Sequence, residues 1–292
     1  MHANLPIKHV ILDFDGTCTQ IPEIFEDYLD RFLSGLIKAG FNFSPTEWRD
    51  AHALVRQYSP ETGWMLAGCP AAPVAADPYI LADEAAKLIV RMQKDVRPLP
   101  NVHAEAYVAA EAPWRAEALK TFTLLIERGV QIHFVSNSGS AYITGRVAQL
   151  MSTRRDLLSS ISIQSDAGKF RICELSWPDQ GAVSKESARK FTALPAAIEG
   201  TLQRPIYLRR GAYFEAINKV LAGDLGLLSN TLFCGDVWEM DLAMPYALGA
   251  RVHLLDRAEP FPTYPYELQA IAACGARGKR SADLSGLLDW FD

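Results

Sequence analysis

The sequence predicts an α/β protein: a mostly parallel sheet covered on both faces, with a helical unit inserted after its first strand. Two observations carry this. Five short apolar runs, at 10–14, 132–135, 206–208, 231–234 and 252–255, hold β-branched or aromatic residues and are too short for helices. Helical patterns lie between most of them, and strands that alternate with helices build a parallel sheet.

The run at 10–14 opens the series. From about Thr19 to Pro113 the alternation stops, because no convincing strand is found there. Helices are predicted at 24–39, 45–58 and 77–95, with a Gly/Pro/Ala-rich loop at 63–76. That is enough chain for a separate unit. The expected division is a discontinuous main domain of residues 1–18 and 113–292 and an inserted helical domain of residues 19–112. A helix at 115–128 follows, with apolar Ala118, Leu119, Phe122, Leu125 and Ile126, and Gly129 as its stop. After the strand at 132–135, the stretch 161–205 reads as a β-hairpin or small insertion. It holds 161–164, 169–175 and a Trp-Pro-Asp-Gln-Gly turn at 177–181. The strand at 206–208 leads to a helix at 213–221. The strand at 231–234 leads to a helix at 242–248, ended by Gly249.

Bulk properties narrow the function. The 292 residues can bury a full core in one large domain or two smaller ones. A hydrophobic share of 49% and a charged share of 22% are ordinary for a globular chain. The net charge of −5, without a polybasic stretch, argues against nucleic acid or an anionic membrane as main partner. No run approaches the roughly 18 apolar residues of a membrane span, and the N-terminal residues lack a signal-peptide pattern. Cys18, Cys69, Cys173, Cys234 and Cys274 are scattered, with no C-x-x-C pair, which argues against a zinc site or a disulfide framework. A cytoplasmic setting is expected.

In open α/β sheets, ligands bind at the carboxyl ends of the strands. The first strand ends in Asp13-Phe14-Asp15-Gly16-Thr17, the second in Ser136-Asn137-Ser138, and the third in Arg209-Arg210. The fourth ends in Gly235-Asp236, with Asp241 five residues on. Carboxylates, a hydroxyl and a cation on one sheet edge are the parts of metal-assisted phosphoryl transfer. Asp13 and Asp15 start on one face of an extended strand, while Phe14 points to the core. One carboxylate can attack phosphorus and the other can handle the leaving group's proton. Gly16 permits a sharp turn. Asp236 adds a hard oxygen of the kind magnesium prefers. His133, inside a strand, reads as a hydrogen-bonded core histidine, and no histidines have metal spacing.

Asp13–Thr17, Ser136, an Arg before a helix, and the GD-x4-D of Gly235–Asp241 resemble the four motifs of the haloacid dehalogenase superfamily of hydrolases. The order matches, and each motif falls at a strand end. The resemblance covers about the first 17 residues and most of the chain from about Pro113 onward. It implies a Rossmann-like, mostly parallel core with an inserted α-helical cap. It implies that Asp13 is the nucleophile that forms an aspartyl-phosphate, and Asp15 the general acid and then base. Asp13, the backbone carbonyl of Asp15, and Asp236 would bind magnesium, with Asp241 supporting the metal. Ser136 and the amide of Asn137 would hold the phosphoryl oxygens, with Gly16 beside the substrate. The third motif is usually a Lys ahead of a helix. Arg210 or Arg209 is favoured here as the cation, and Lys169 in Asp166-Ala167-Gly168-Lys169 is a rival.

The expected function is therefore a phosphatase acting on a small phosphorylated metabolite. A dehalogenase is disfavoured, since an alkyl halide needs no acid at Asp15. A phosphomutase shares the chemistry. A catalytically idle binding protein is the alternative of another class, and the intact set Asp13, Asp15, Asp236 and Asp241 speaks against it.

Overall fold

The computed structural model describes residues 6–176 and 185–291; the turn expected at 177–181 lies outside them. The chain starts with β1 (His9–Leu12) and continues into the insertion. There it forms α1 (Phe25–Lys38), α2 (Pro45–Tyr58), β2 (Gly63–Leu66), β3 (Cys69–Pro73), α3 (Pro78–Met92) and α4 (His103–Ala109). It returns with α5 (Ala118–Glu127), β4 (Gln131–Val135), α6 (Ser140–Leu150) and β5 (Ile161–Gln164). Next come α7 (Lys185–Thr192), β6 (Ala197–Ile198), β7 (Ile206–Tyr207) and α8 (Gly211–Val220). The last elements are β8 (Thr231–Gly235), α9 (Ala243–Ala247), β9 (Arg251–Leu255), α10 (Pro265–Ala273) and β10 (Gly278–Ser281).

Six strands form one parallel sheet in the order β10-β9-β8-β1-β4-β5. β1 is central, with Leu12 level with Phe134 on β4 and Cys234 on β8. The residues that follow these three strands therefore emerge side by side. Alternate residues serve opposite faces. Ile11, Val135, Phe233 and Leu254 join α8, α9 and α10 in one core. Val10, Leu12, Phe134, Leu232 and Cys234 join α5 and α6 in the other. Burial on both faces explains why these runs are continuously apolar.

The insertion has its own core, in which Tyr28, Leu29, Phe32, Trp48, Ala86 and Ile89 are buried. The start of α2 is written locally. Ser44 Oγ accepts from the Glu47 amide at 3.2 Å, and the Glu47 carboxylate accepts from the Ser44 amide at 2.9 Å. Pro45 occupies the first turn. The two crossings to the main domain are bonded to each other. The Gln20 amide donates to the Pro113 carbonyl at 2.8 Å, and the Arg115 amide to the Cys18 carbonyl at 3.0 Å. On the far side, the Arg204 Nε donates to the Pro60 carbonyl at 2.9 Å, and an Arg56 Nη to the Pro260 carbonyl at 2.6 Å.

Three expectations need correction. The loop at 63–76 contains the antiparallel hairpin β2–β3, which pairs with itself and not with the main sheet. Its alanines are small enough to pack closely, and Ala72 and Ala76 lie against Val237. The run at 161–164 is no insertion: it is β5, an edge strand parallel to β4. The run at 206–208 is no strand of the main sheet: β7 is two residues long and pairs antiparallel with β6. Ile206 and Leu208 are buried in the α8 core, and a short apolar run reports burial, not pairing. All five cysteines are free. Among the described residues, no helix is long and apolar enough to cross a membrane.

Candidate active site

Asp13 follows β1 directly, and its amide donates to the Cys234 carbonyl at 3.0 Å, which locks it to the end of β8. Asp236 leaves the end of β8, and Asp241 follows within a turn of π-helix, Trp238–Leu242. One carboxylate oxygen from each of Asp13, Asp236 and Asp241 lies within 4.8 Å of the other two. Close approach fixes the two glycines beside them. Gly16 has a φ of +78°, and a Cβ there would sit 2.6 Å from an Asp236 oxygen. A Cβ on Gly235 would sit 2.3 Å from the Asp241 Cβ.

Lys169 supplies the cation. Its Nζ bonds Asp13 Oδ1 and lies 2.9 Å from Asp241 Oδ1, and the residue is 1% exposed. The loop that carries it starts at the end of the edge strand β5. The Asn137 Oδ1 accepts from the Lys169 amide at 2.8 Å, and the Ser136 carbonyl accepts from the Ala167 amide at 2.9 Å. So Ser136 and Asn137, at the end of β4, hold the Lys169 loop against the acids.

Arg210 and Arg209, favoured from the sequence, do not reach this group. Arg210 is fully buried, and its guanidinium donates to the carbonyls of Lys169 and Ala71, both at 2.7 Å, and of Tyr207 at 3.2 Å. Burial pushes its pKa down to about 10. Arg209 pairs with Glu174 at 3.1 Å and donates to the carbonyls of Leu194 and Thr192. The reason is topological: both follow β7, which lies outside the main sheet.

Crowding and burial set the electrostatics. Burial raises the Asp13 pKa well above the carboxylate range; Lys169 opposes this, and Asp241 and Asp236 add to it. Burial, with Asp241 beside it, pushes Asp236 up to about 7. For Lys169, burial lowers the pKa, but Asp13 and Asp241 overcome it and the net shift is upward, so the amine stays charged. Three acids against one amine leave a site that favours a further cation. Hard, buried oxygens suit magnesium. Both Asp241 oxygens are already taken, by Lys169 and by the Val237 amide at 3.0 Å. Asp13 and Asp236 are left as the side chains that would hold the ion. Thr17 Oγ1 donates to Asp236 Oδ1 at 2.8 Å and orients it.

Asp15 has different company. Ser138 Oγ donates to its Oδ2 at 2.5 Å, and Tyr107 Oη lies 3.0 Å from both of its oxygens. Burial raises its pKa, opposed by those two hydroxyls. Ser138 follows Asn137 at the end of β4 and could have been found by its place. Tyr107, on α4, has no local sequence signal. A cleft of about 90 Å³ opens on the Asp236 side of the site, between Gln20–Pro22 and Asp77 of the insertion and Asp236, Arg257 and Phe261 of the main domain; Asp13 and Asp15 do not line it.

No protein-family model matches the sequence, and a comparison with curated proteins finds no match. Solved structures do match. A predicted phosphoglycolate phosphatase from Haemophilus somnus is 13% identical over 100% of both chains, with a TM-score of 0.51. A haloacid dehalogenase-like family hydrolase from Streptococcus pneumoniae is 9% identical over 98% of this chain and 99% of its own, with a TM-score of 0.49. CbbY from Rhodobacter sphaeroides, in complex with phosphate, is 12% identical over 96% of each chain, with a TM-score of 0.47. The chain has the haloacid dehalogenase-like fold.

Proposed function

We propose that the chain is a magnesium-dependent phosphohydrolase that removes phosphate from a small phosphorylated metabolite through an aspartyl-phosphate on Asp13. One observation carries this reading: Asp13, Asp236, Asp241 and Lys169 meet in a single buried group at the centre of the sheet edge. An idle binding protein has no use for three crowded, desolvated acids, which cost stability.

In this reading Asp13 attacks phosphorus, and the bond from phosphorus to the leaving oxygen breaks. Asp15 gives that oxygen a proton, then takes one from the water that opens the aspartyl-phosphate. Inorganic phosphate leaves and Asp13 is restored. Lys169 opposes protonation of Asp13 and orients it for attack. Ser136 and the Asn137 amide hold phosphoryl oxygens. Magnesium, held by Asp13, the Asp15 carbonyl and Asp236, would offset the charge on the phosphoryl group.

The test is turnover of a panel of phosphorylated metabolites with magnesium. Phosphate release that a chelator abolishes supports the reading. Full activity in excess chelator sinks the metal requirement.

A further inference from the structure

We infer that Tyr107, carried by the insertion, is a positioning residue for Asp15, with Ser138 as the other half of the same clamp. The inference rests on the phosphohydrolase reading, in which Asp15 is the acid for the leaving oxygen. A carboxyl group can act on a leaving oxygen only when the rotation about its side-chain bonds is fixed. Here three oxygens close on one another. Tyr107 Oη lies 3.0 Å from each Asp15 oxygen, Ser138 Oγ lies 2.5 Å from Oδ2, and the two hydroxyls are 2.9 Å apart. Hydrogen bonds to a carboxylate are short and directional, so two such donors define its plane.

The clamp is itself held. Tyr107 packs against Tyr142 at 4.9 Å, Tyr79 at 5.3 Å and His103 at 5.4 Å between ring centres. His103 is in turn bonded to Tyr28 Oη at 2.9 Å. The Ser138 amide donates to Ser136 Oγ at 3.1 Å, which ties the second donor to the end of β4. The two donors come from different units: Tyr107 from α4 of the insertion, Ser138 from the main domain. Asp15 is fully clamped only while the insertion sits on the sheet edge. The contact that aims the acid is thus the contact that shuts water away from it.

Neutral hydroxyls suit this task. An Arg or Lys in place of Tyr107 would hold Asp15 as a permanent anion and prevent it from giving up a proton. Two hydroxyls orient the group and accept either protonation state by turning their own hydrogens.

The experiment measures kcat and KM for an alkyl and an aryl phosphate with wild type, Tyr107→Phe, Ser138→Ala, the double variant and Asp15→Asn. Trp48→Phe is the control, since it trims a buried side chain of the same insertion that packs on Phe32, Phe43 and His52, away from Tyr107 and Asp15. Losing one hydrogen bond to a charged group is worth about tenfold or more. Tyr107→Phe should therefore lower kcat on the alkyl substrate about tenfold, leave its KM unchanged, and lower kcat on the aryl substrate less than about threefold, because a good leaving group needs little acid help. The double variant should approach Asp15→Asn. Trp48→Phe should keep the wild-type alkyl-to-aryl ratio. If Tyr107→Phe keeps that ratio, or lowers both substrates equally as Trp48→Phe does, the positioning role is wrong and the phosphohydrolase reading stands. If wild type turns over neither substrate with magnesium, that reading fails and this inference with it.

Discussion

Asp13 and Asp15 are two residues apart, and burial raises the pKa of both, yet their neighbourhoods are opposites. Asp13 is surrounded by charge: Lys169 against it, Asp236 and Asp241 beside it. Asp15 is held by two hydroxyls. The partners of Asp13 all come from the main domain, fixed by the parallel sheet. Those of Asp15 are shared with the insertion. A nucleophile needs its charge controlled, and a rigid sheet edge does that at all times. In the proposed mechanism the acid needs orientation and dryness, and a unit packed over the edge supplies both together.

Breaking the charged half should have the largest effect. Under the proposed mechanism Asp13→Asn removes the nucleophile, so turnover of every substrate should fall to background; near-normal rates would end the covalent mechanism. Asp15→Asn comes next. It should slow an alkyl phosphate by about 10²–10⁴-fold. An aryl phosphate should lose much less, and an equal loss on both would remove the leaving-group role.

Lys169→Met tests the correction of the cation's identity. Loss of one preorganised electrostatic partner costs about 10²–10³-fold in kcat. Unchanged kcat would return the role to another residue.

A smaller effect concerns stability. Asp236 has a folded pKa near 7 against an ordinary 3.8. Between those values the metal-free folded protein keeps a proton that the unfolded chain has lost, so stability falls as pH rises through that window. Asp236→Asn has no such proton. Its melting temperature, relative to wild type and without metal, should rise from about pH 5 to about pH 8. Magnesium should shrink the gap by binding only the folded wild type. A gap that does not change with pH would mean the acids are not crowded.

The smallest change is expected from Arg209→Ala. Its ion pair with Glu174 is partly exposed, and such pairs contribute about 0–1 kcal/mol. Turnover should stay within about twofold, and a larger loss would restore Arg209 to the substrate.

The central acids were legible because the signal was local. DFDGT and GD-x4-D record a strand end, a tight turn and a close approach, all within a few residues, and Gly16 and Gly235 stand where a Cβ would collide. The cation was harder. Had 161–164 been read as a sheet strand, Lys169 would have stood five residues past its end, on the correct edge. The apolar residues at 206–208 are the stronger strand signal, and they point to Arg209 and Arg210. The strand β10 reads Gly-Lys-Arg-Ser, and an edge strand with exposed polar residues leaves little hydrophobic trace. Tyr107 is 92 residues from Asp15 in sequence, and only the docking of α4 brings them together.

Arg210 spans two carbonyls, one on the Lys169 loop and one, Ala71, on the hairpin of the insertion. It is a rigid link between two parts that a simple hinged lid would let separate. The insertion is therefore fastened like a door with a hinge at residues 18–20 and 113–115 and a catch on the opposite side. Moving the hairpin away would break the bond to the Lys169 carbonyl or the one to Ala71. It would also strip a fully buried cation of its partners. One side chain thus joins the hairpin to the loop whose amine faces Asp13.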